Sequence, residues 1–136
     1  MAARLTGGCG CGAVRFEIDE PLLSASYCHC TRCQRRTGTA ASANGRTAPG
    51  SFRITAGEEH IATWAPEGGA AKNFCTLCGS ALFSRTDNDP PAIGVRLGAI
   101  DGDPGIRPQW HQYVAYAAGW EEIPDDGLPR FPEGRT

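Results

Sequence analysis

Two stretches decide the fold of this chain, Cys9-Gly10-Cys11-Gly12 and Cys75-Thr76-Leu77-Cys78-Gly79. Each stretch holds two sulfurs close enough to bind one tetrahedral ion, and Zn²⁺ prefers thiolate ligands in fours. A glycine follows each pair, and glycine adopts without strain the positive φ that a tight turn around a metal needs. Two such pairs would close one four-sulfur site and tie the start of the chain to its middle.

A third cluster, Cys28-His29-Cys30-Thr31-Arg32-Cys33, uses the remaining three of the seven cysteines. Three thiolates on one ion leave a coordination position free, which is typical of a metal that takes part in chemistry. A soft thiol is the expected guest, because Zn²⁺ deprotonates a bound thiol near neutral pH. We expect His29 at the surface or behind the ligands, not on the metal. Spacing alone leaves open which clusters combine, and buried or redox-active thiols are the alternative.

Bulk composition limits the class of protein. With 136 residues we expect one domain over residues 1–136. A net charge of −2 gives no reason to expect nucleic acid or an anionic membrane as a partner. The first residues lack the apolar run of a signal peptide, and no later stretch is long and apolar enough to span a bilayer. We therefore expect a cytoplasmic protein, where reducing conditions and an odd cysteine count favour metal binding over disulfides.

The pattern of apolar residues predicts a mostly β fold with little helix. Val14, Phe16 and Ile18 alternate with charged residues, as in a half-buried strand. Similar signals predict strands at 23–27, 40–44, 52–55, 61–64, 93–97 and 110–116, and a hairpin around the second cysteine pair. One helical turn at 34–37 should end at Gly38. We expect an irregular tail from Glu121 onward, with Trp120 packing it onto the sheet.

Several polar residues allow two interpretations. Arg32, Arg35 and Arg36 surround the three-cysteine loop. They could offset metal–thiolate charge or bind substrate carboxylates, or they could simply be solvated. His111 alternates with Trp110 and is expected to be a hydrogen-bonded core histidine.

These motifs closely resemble the glutathione-dependent formaldehyde-activating enzyme family, also called the centromere-protein-V-like family. The matching segments cover almost the whole chain: residues 7–14, residues 28–34 with Gly38, and residues 74–79, 97–101 and 126–131. The resemblance implies an Mss4-like fold, a compact twisted arrangement of β-sheets held by zinc. It assigns the structural zinc to Cys9, Cys11, Cys75 and Cys78. It assigns the catalytic zinc to Cys28, Cys30 and Cys33.

The resemblance also implies an activity. We expect a carbon–sulfur lyase of the S-(hydroxymethyl)glutathione synthase type, which joins a small thiol to a small aldehyde or reverses that addition. Its second zinc should be the more labile one. One alternative is a non-catalytic, zinc-stabilised Mss4-like module that binds a protein partner. Another is a thiol redox sensor in which Cys28 and Cys33 become oxidised. Two zinc ions per chain would favour the enzyme, and one would favour the module.

Overall fold

A computed structural model describes residues 4–135, which form ten short strands in two sheets and a single α-helix. The smaller sheet contains, in spatial order, β1 (Leu5–Gly8), β2 (Arg15–Ile18) and β5 (Phe52–Ala56). The larger sheet contains, in spatial order, β10 (His111–Gln112), β3 (Ser24–Cys28), β4 (Ser42–Arg46), β9 (Ile93–Arg96), β8 (Ala81–Arg85), β7 (Ala71–Cys75) and β6 (Ile61–Trp64). The helix α1 spans Thr31–Thr37. The mostly β prediction is confirmed.

The hydrophobic core lies between the two sheets. The alternation predicted for residues 14–18 places Val14, Phe16 and Ile18 inward, where all three are fully buried. Phe52 of the smaller sheet joins the two layers, because its ring lies 5.2 Å from that of Phe16 and 4.7 Å from that of Phe83. Burial of this apolar surface is the main driving force that holds the sheets face to face.

Helix α1 begins three residues before the predicted turn. Cys30 is its N-cap residue, and the Cys30 Sγ accepts a hydrogen bond from the Cys33 N–H at 3.3 Å. The helix ends as predicted at Gly38, whose φ of 68° is left-handed and whose N–H donates to the Gln34 carbonyl at 2.8 Å. The sequence pattern missed the first turn because cysteine is not a usual N-cap residue.

The predicted strand at 110–116 is wrong over most of its length. Only His111–Gln112 forms a strand, and it pairs parallel to β3. Tyr113 has a φ of 58°, which ends the extended conformation before a 3₁₀ turn at Val114–Tyr116. Trp120 is 73% exposed, so the prediction that it packs the tail onto the sheet is also wrong.

The remaining predicted strands are present with small shifts. The strand predicted at 40–44 runs instead over Ser42–Arg46, and Leu97 lies in a 3₁₀ turn beyond β9. The predicted hairpin is β7 and β8, which pair antiparallel across the second cysteine pair. No helix in residues 4–135 has the length and apolarity required to cross a membrane.

Candidate metal centres

The structure gathers four cysteine sulfurs at one end of the β7–β8 hairpin. They belong to Cys9, Cys11, Cys75 and Cys78, and all lie within 4.8 Å of one another. The Sγ atoms are 3.6 Å apart for Cys9 and Cys11 and 4.0 Å apart for Cys11 and Cys75. Zinc–sulfur bonds of about 2.3 Å in a tetrahedron place sulfurs about 3.8 Å apart, whereas a disulfide joins them at about 2.05 Å. The donor set therefore fits one zinc ion and does not fit disulfides.

Neighbouring groups stabilise negative charge on two of these sulfurs, those of Cys78 and Cys9. The Ser80 hydroxyl, 3.2 Å from the Cys78 Sγ, lowers the pKa of that thiol to about 5. The same hydroxyl oxygen accepts a hydrogen bond from the Gly10 N–H, which fixes its orientation. Burial raises the pKa of Cys9, but hydrogen bonds led by the Val14 N–H at 3.2 Å lower it overall. Metal-bound thiolates are commonly supported by such hydrogen bonds.

A second group contains three sulfurs, those of Cys28, Cys30 and Cys33, again within 4.8 Å of one another. Cys28 ends β3, Cys30 caps α1 and Cys33 lies in the first turn of that helix. Cys28 and Cys33 are buried, whereas Cys30 is partly exposed. Within residues 4–135, no fourth cysteine, histidine or carboxylate joins this group. The arrangement could hold a metal ion that keeps one position open.

Two of the three sulfurs, those of Cys28 and Cys33, differ in how readily they lose a proton. A hydrogen bond with Cys28 lowers the pKa of the Cys33 thiol to about 5, although burial opposes this, and Ser42 contributes in the same direction. The same contact, together with burial, raises the pKa of Cys28. This contact therefore favours negative charge on Cys33 over Cys28.

An open cleft of about 490 Å³ lies over the three-sulfur group. Its walls include Arg32, Lys72, Tyr113 and Tyr116. The Arg32 guanidinium lies at the edge of the cleft against the Gly69 backbone. A Cβ added at Gly69 would lie 2.3 Å from the Arg32 Nη1. Lys72 is half-buried, and burial lowers its pKa although the nearby Cys33 opposes this change. Lys72 and the two tyrosines were missed, because they lie about 40 and 80 positions from the loop and no local motif marks them.

His29 lies in a buried chain of hydrogen bonds behind the three-sulfur group. Its Nε2 is 2.9 Å from the His111 Nδ1, and the His111 Nε2 is 2.8 Å from the Asp126 Oδ2. Because the Asp126 carboxylate can only accept, His111 donates from Nε2, and in the neutral imidazole its Nδ1 then accepts from His29. His29 is 2% exposed and is not part of the three-sulfur group, so of the two positions expected for it the structure has the one behind the ligands and not the one at the surface. The prediction of a hydrogen-bonded core histidine at His111 is confirmed.

The three arginines near the loop lie together around Trp64 but differ in burial. Arg32 also lines the cleft over the three-sulfur group, Arg35 is exposed, and Arg36 is half-buried. The seven cysteines, in contrast, form the two groups that the family resemblance implied. Their assignment as zinc ligands stays a prediction.

The fold and the site together define a β protein with two cysteine groups, each able to hold a metal ion. Residues 4–116 match the family described as glutathione-dependent formaldehyde-activating enzyme, and the chain belongs to this family. A Halomonas elongata protein with the provisional name glutathione-dependent formaldehyde-activating enzyme is 28% identical over 126 residues, which are 88% of this chain and 80% of that protein. A crystal structure of a Rhodobacter sphaeroides protein, a structural genomics target, covers 93% of this chain and 98% of its own. It has a TM-score of 0.61 and 23% identity, and it supports the fold alone.

Proposed function

We propose that this chain is a zinc-dependent carbon–sulfur lyase that joins a small thiol such as glutathione to a small aldehyde such as formaldehyde, or catalyses the reverse. Family membership and the name of the Halomonas elongata relative support these substrates. The observation that carries the proposal is the group of three sulfurs at the floor of an open cleft. The proposed ligands of the catalytic ion are Cys28, Cys30 and Cys33. Those of the structural ion are Cys9, Cys11, Cys75 and Cys78.

A Zn²⁺ ion held by the three sulfurs would lower the pKa of a thiol substrate and polarise the carbonyl group of the aldehyde. The chain itself supplies a confined cleft, which converts the encounter of two small molecules into an effectively intramolecular reaction. In that reaction the thiol sulfur bonds to the carbonyl carbon, the carbon–oxygen π bond breaks, and the thiol proton ends on the new hydroxyl group. The reverse reaction follows the same steps backwards.

Three side chains of the cleft have proposed roles in this addition. The Lys72 ammonium donates a hydrogen bond to the aldehyde oxygen, on which negative charge develops as the sulfur attacks. Arg32 binds a carboxylate of the thiol, because a guanidinium matches carboxylate geometry with two parallel hydrogen bonds. Tyr116 forms the wall of the cleft next to the C-terminal segment, to which its hydroxyl is attached by a hydrogen bond donated to Glu133 at 3.0 Å.

Replacement of Cys30 by serine tests the proposal. Serine is a good N-cap residue and can accept the Cys33 N–H in place of the cysteine sulfur, so the helix should remain folded. We expect Cys30→Ser to reduce thiol-dependent formaldehyde consumption to the uncatalysed rate, with unchanged far-UV circular dichroism. Unchanged turnover in the folded variant would rule out this site as the centre of the reaction.

Metal content separates this proposal from the alternatives. We expect two zinc ions per chain in freshly purified wild-type protein and one in Cys30→Ser. A zinc-stabilised binding module predicts one ion in both, and a redox sensor predicts a Cys28–Cys33 disulfide with no second ion. None of the seven cysteines forms a disulfide. Unpaired cysteines are typical of proteins in a reducing compartment, and we therefore propose a cytoplasmic location.

A further inference from the structure

A second cleft, of about 620 Å³, is lined by the last turn of helix α1 and by residues of β4, β8 and β9. It runs between the two cysteine groups, and its lining includes Arg36, Ser42, Ser80, Arg96 and Asp101. It has no lining residue in common with the cleft over the three-sulfur group. The chemistry proposed above therefore does not explain why this surface is concave and charged.

Arg36 has unused hydrogen-bonding capacity at this cleft. Its Nε and Nη2 are buried and have no hydrogen-bond partner, and Arg36 forms no ion pair among the described residues. The guanidinium is held over the Phe74 ring, 5.3 Å from the ring centroid. Buried guanidinium nitrogens in native proteins almost always have an acceptor. The missing acceptor is the observation that points to a ligand.

A second cation faces the same cleft. Arg96, on β9, donates a hydrogen bond to the Asn44 side-chain oxygen and has no carboxylate partner within residues 4–135. The proximity of Arg96 adds to burial in lowering the pKa of Arg36, so the two cations lie close enough to repel one another.

The cleft has no free carboxylate to balance these two charges. Asp101 is the one acidic residue in its described lining, and it already accepts hydrogen bonds from Arg15 and from the Thr6 hydroxyl at 2.7 Å. Arg36 and Arg96 are therefore the two cations of this lining that have no carboxylate partner among the described residues. Unpaired guanidinium groups at a concave surface attract small anions.

We propose that this cleft is an oxyanion-binding site in which Arg36 and Arg96 hold a carboxylate or phosphate group of a small molecule. Guanidinium groups match both kinds of anion, because each can donate two parallel hydrogen bonds to a pair of oxygens. The bound anion removes the repulsion between the two arginines and supplies the acceptor that Arg36 lacks. The cleft shares no lining residue with the one over the three-sulfur group, and anion binding in it requires no turnover there. Ser42 and Arg96 border both sites, because each also helps to lower the pKa of Cys33.

Arginine side-chain NMR of the zinc-loaded full chain tests this site. Inorganic phosphate, formate and chloride are titrated separately at constant ionic strength, and the Nε–Hε signals of Arg36 and Arg96 are followed. We expect saturable shifts of both signals with phosphate or formate and none with chloride. The oxyanion that saturates at the lower concentration identifies the ligand class. Shifts that are absent, or that rise linearly with all three salts, would mean that the cleft holds only water and would overturn the proposal.

Variants separate a specific site from general charge effects. Arg96→Gln should weaken oxyanion binding at least roughly tenfold, because a charge-assisted hydrogen-bonded pair is lost. Arg35→Gln is the matched control: it removes the same charge from an exposed neighbour of Arg36 that lines neither cleft. Arg36→Gln should match Arg96→Gln, and Arg96→Gln remains decisive if loss of the Phe74 contact unfolds that variant. Equal weakening by Arg35→Gln would contradict the proposal.

Discussion

Cys30 has two functions in the local structure. Its sulfur belongs to the three-sulfur group, and it also accepts the Cys33 N–H at the start of α1. The helix N-cap and the candidate metal site therefore share one atom, and the position of Cys33 depends on both. Without this hydrogen bond the partly exposed Cys30 side chain would be free to rotate. The bond from the Cys33 N–H limits it to a conformation in which its sulfur stays near that of Cys28.

Two glycines with the same backbone conformation provide a residue-scale prediction. Gly50 and Gly57 have φ values of 75° and 76°. A Cβ at Gly50 would meet no atom within 4 Å, whereas a Cβ at Gly57 would lie 2.0 Å from the Ala13 carbonyl oxygen. Gly50→Ala should lower the free energy of unfolding by about 1 kcal/mol, the cost of a left-handed non-glycine residue. Gly57→Ala should lower it by more than about 3 kcal/mol, because the backbone must also move.

Urea denaturation of both variants with zinc present measures this difference. The comparison is internally controlled, since the two substitutions add the same atom at the same φ. Equal losses of stability would mean that the approach of residue 57 to Ala13, at the entrance of β2, is not as close as the structure has it.

At the scale of secondary-structure elements, one side-chain cluster joins the first two strands to the segment that follows β9. Asp101 follows the 3₁₀ turn at Leu97–Ala99, and it is bound by Thr6 of β1 and Arg15 of β2. The Asp101 N–H also donates to the Thr6 carbonyl oxygen at 2.8 Å. These contacts attach the segment after β9 to the smaller sheet and close one side of the second cleft.

This cluster predicts a pH dependence of stability. Arg15 and the Thr6 hydroxyl hold the pKa of Asp101 below its usual value. The folded state therefore binds fewer protons than the unfolded state, whose aspartate pKa is about 3.9. The stabilisation is fully present above that value and is lost as pH falls through the lower folded pKa. The difference in unfolding free energy between wild type and Asp101→Asn should be constant above about pH 5 and shrink below about pH 4.

Asp103→Asn is the matched control for this pH series. Arg107 lowers the pKa of Asp103, but the two side chains are 70% and 63% exposed and lie four positions apart in one loop. Solvent screens such a pair, so its loss should hardly change stability at any pH. Both variants are compared with wild type at each pH, so any zinc loss in acid affects all three proteins. The same pH profile for both substitutions would refute the role of Asp101.

Alternation was sufficient to predict β2, because Phe16 and Ile18 face the core and their neighbours do not. β6 was predicted from the turn residues on either side of Ile61–Trp64. The seven cysteines were also recognisable from their spacing. The wall of the cleft over the three-sulfur group could not be predicted from the sequence. Lys72 reaches it through the pairing of β7, Tyr113 reaches it through its left-handed backbone conformation, and neither residue has a local sequence signal. The network of His29, His111 and Asp126 depends on the same long-range pairing.

In the whole molecule, the two cysteine groups differ in how much chain they connect. The three-sulfur group lies within residues 28–33 and closes no long loop. The four-sulfur group joins the turn between β1 and β2, in the smaller sheet, to the hairpin of β7 and β8 in the larger sheet. Closing such a long loop restricts the unfolded chain strongly. Free energies of structural zinc binding, roughly 10–16 kcal/mol, equal or exceed the stability of a typical domain. One ion is therefore expected to hold the sheets together, and the other is not.

Stepwise removal of metal tests this asymmetry. We expect a chelator to withdraw one zinc ion from the three-sulfur group first, with loss of thiol-dependent turnover and no change in far-UV circular dichroism. The ion of the four-sulfur group should leave only as the sheets unfold, because its cysteines come from both sheets. A colorimetric zinc indicator and circular dichroism, recorded on the same sample, separate the two steps. Cys30→Ser should release only the ion of the four-sulfur group. Cys11→Ser should have a markedly lower melting temperature even before the chelator is added. Loss of both ions from a protein that keeps its β-sheet signal would show that packing of Phe16, Phe52 and Phe83 holds the two layers together without metal.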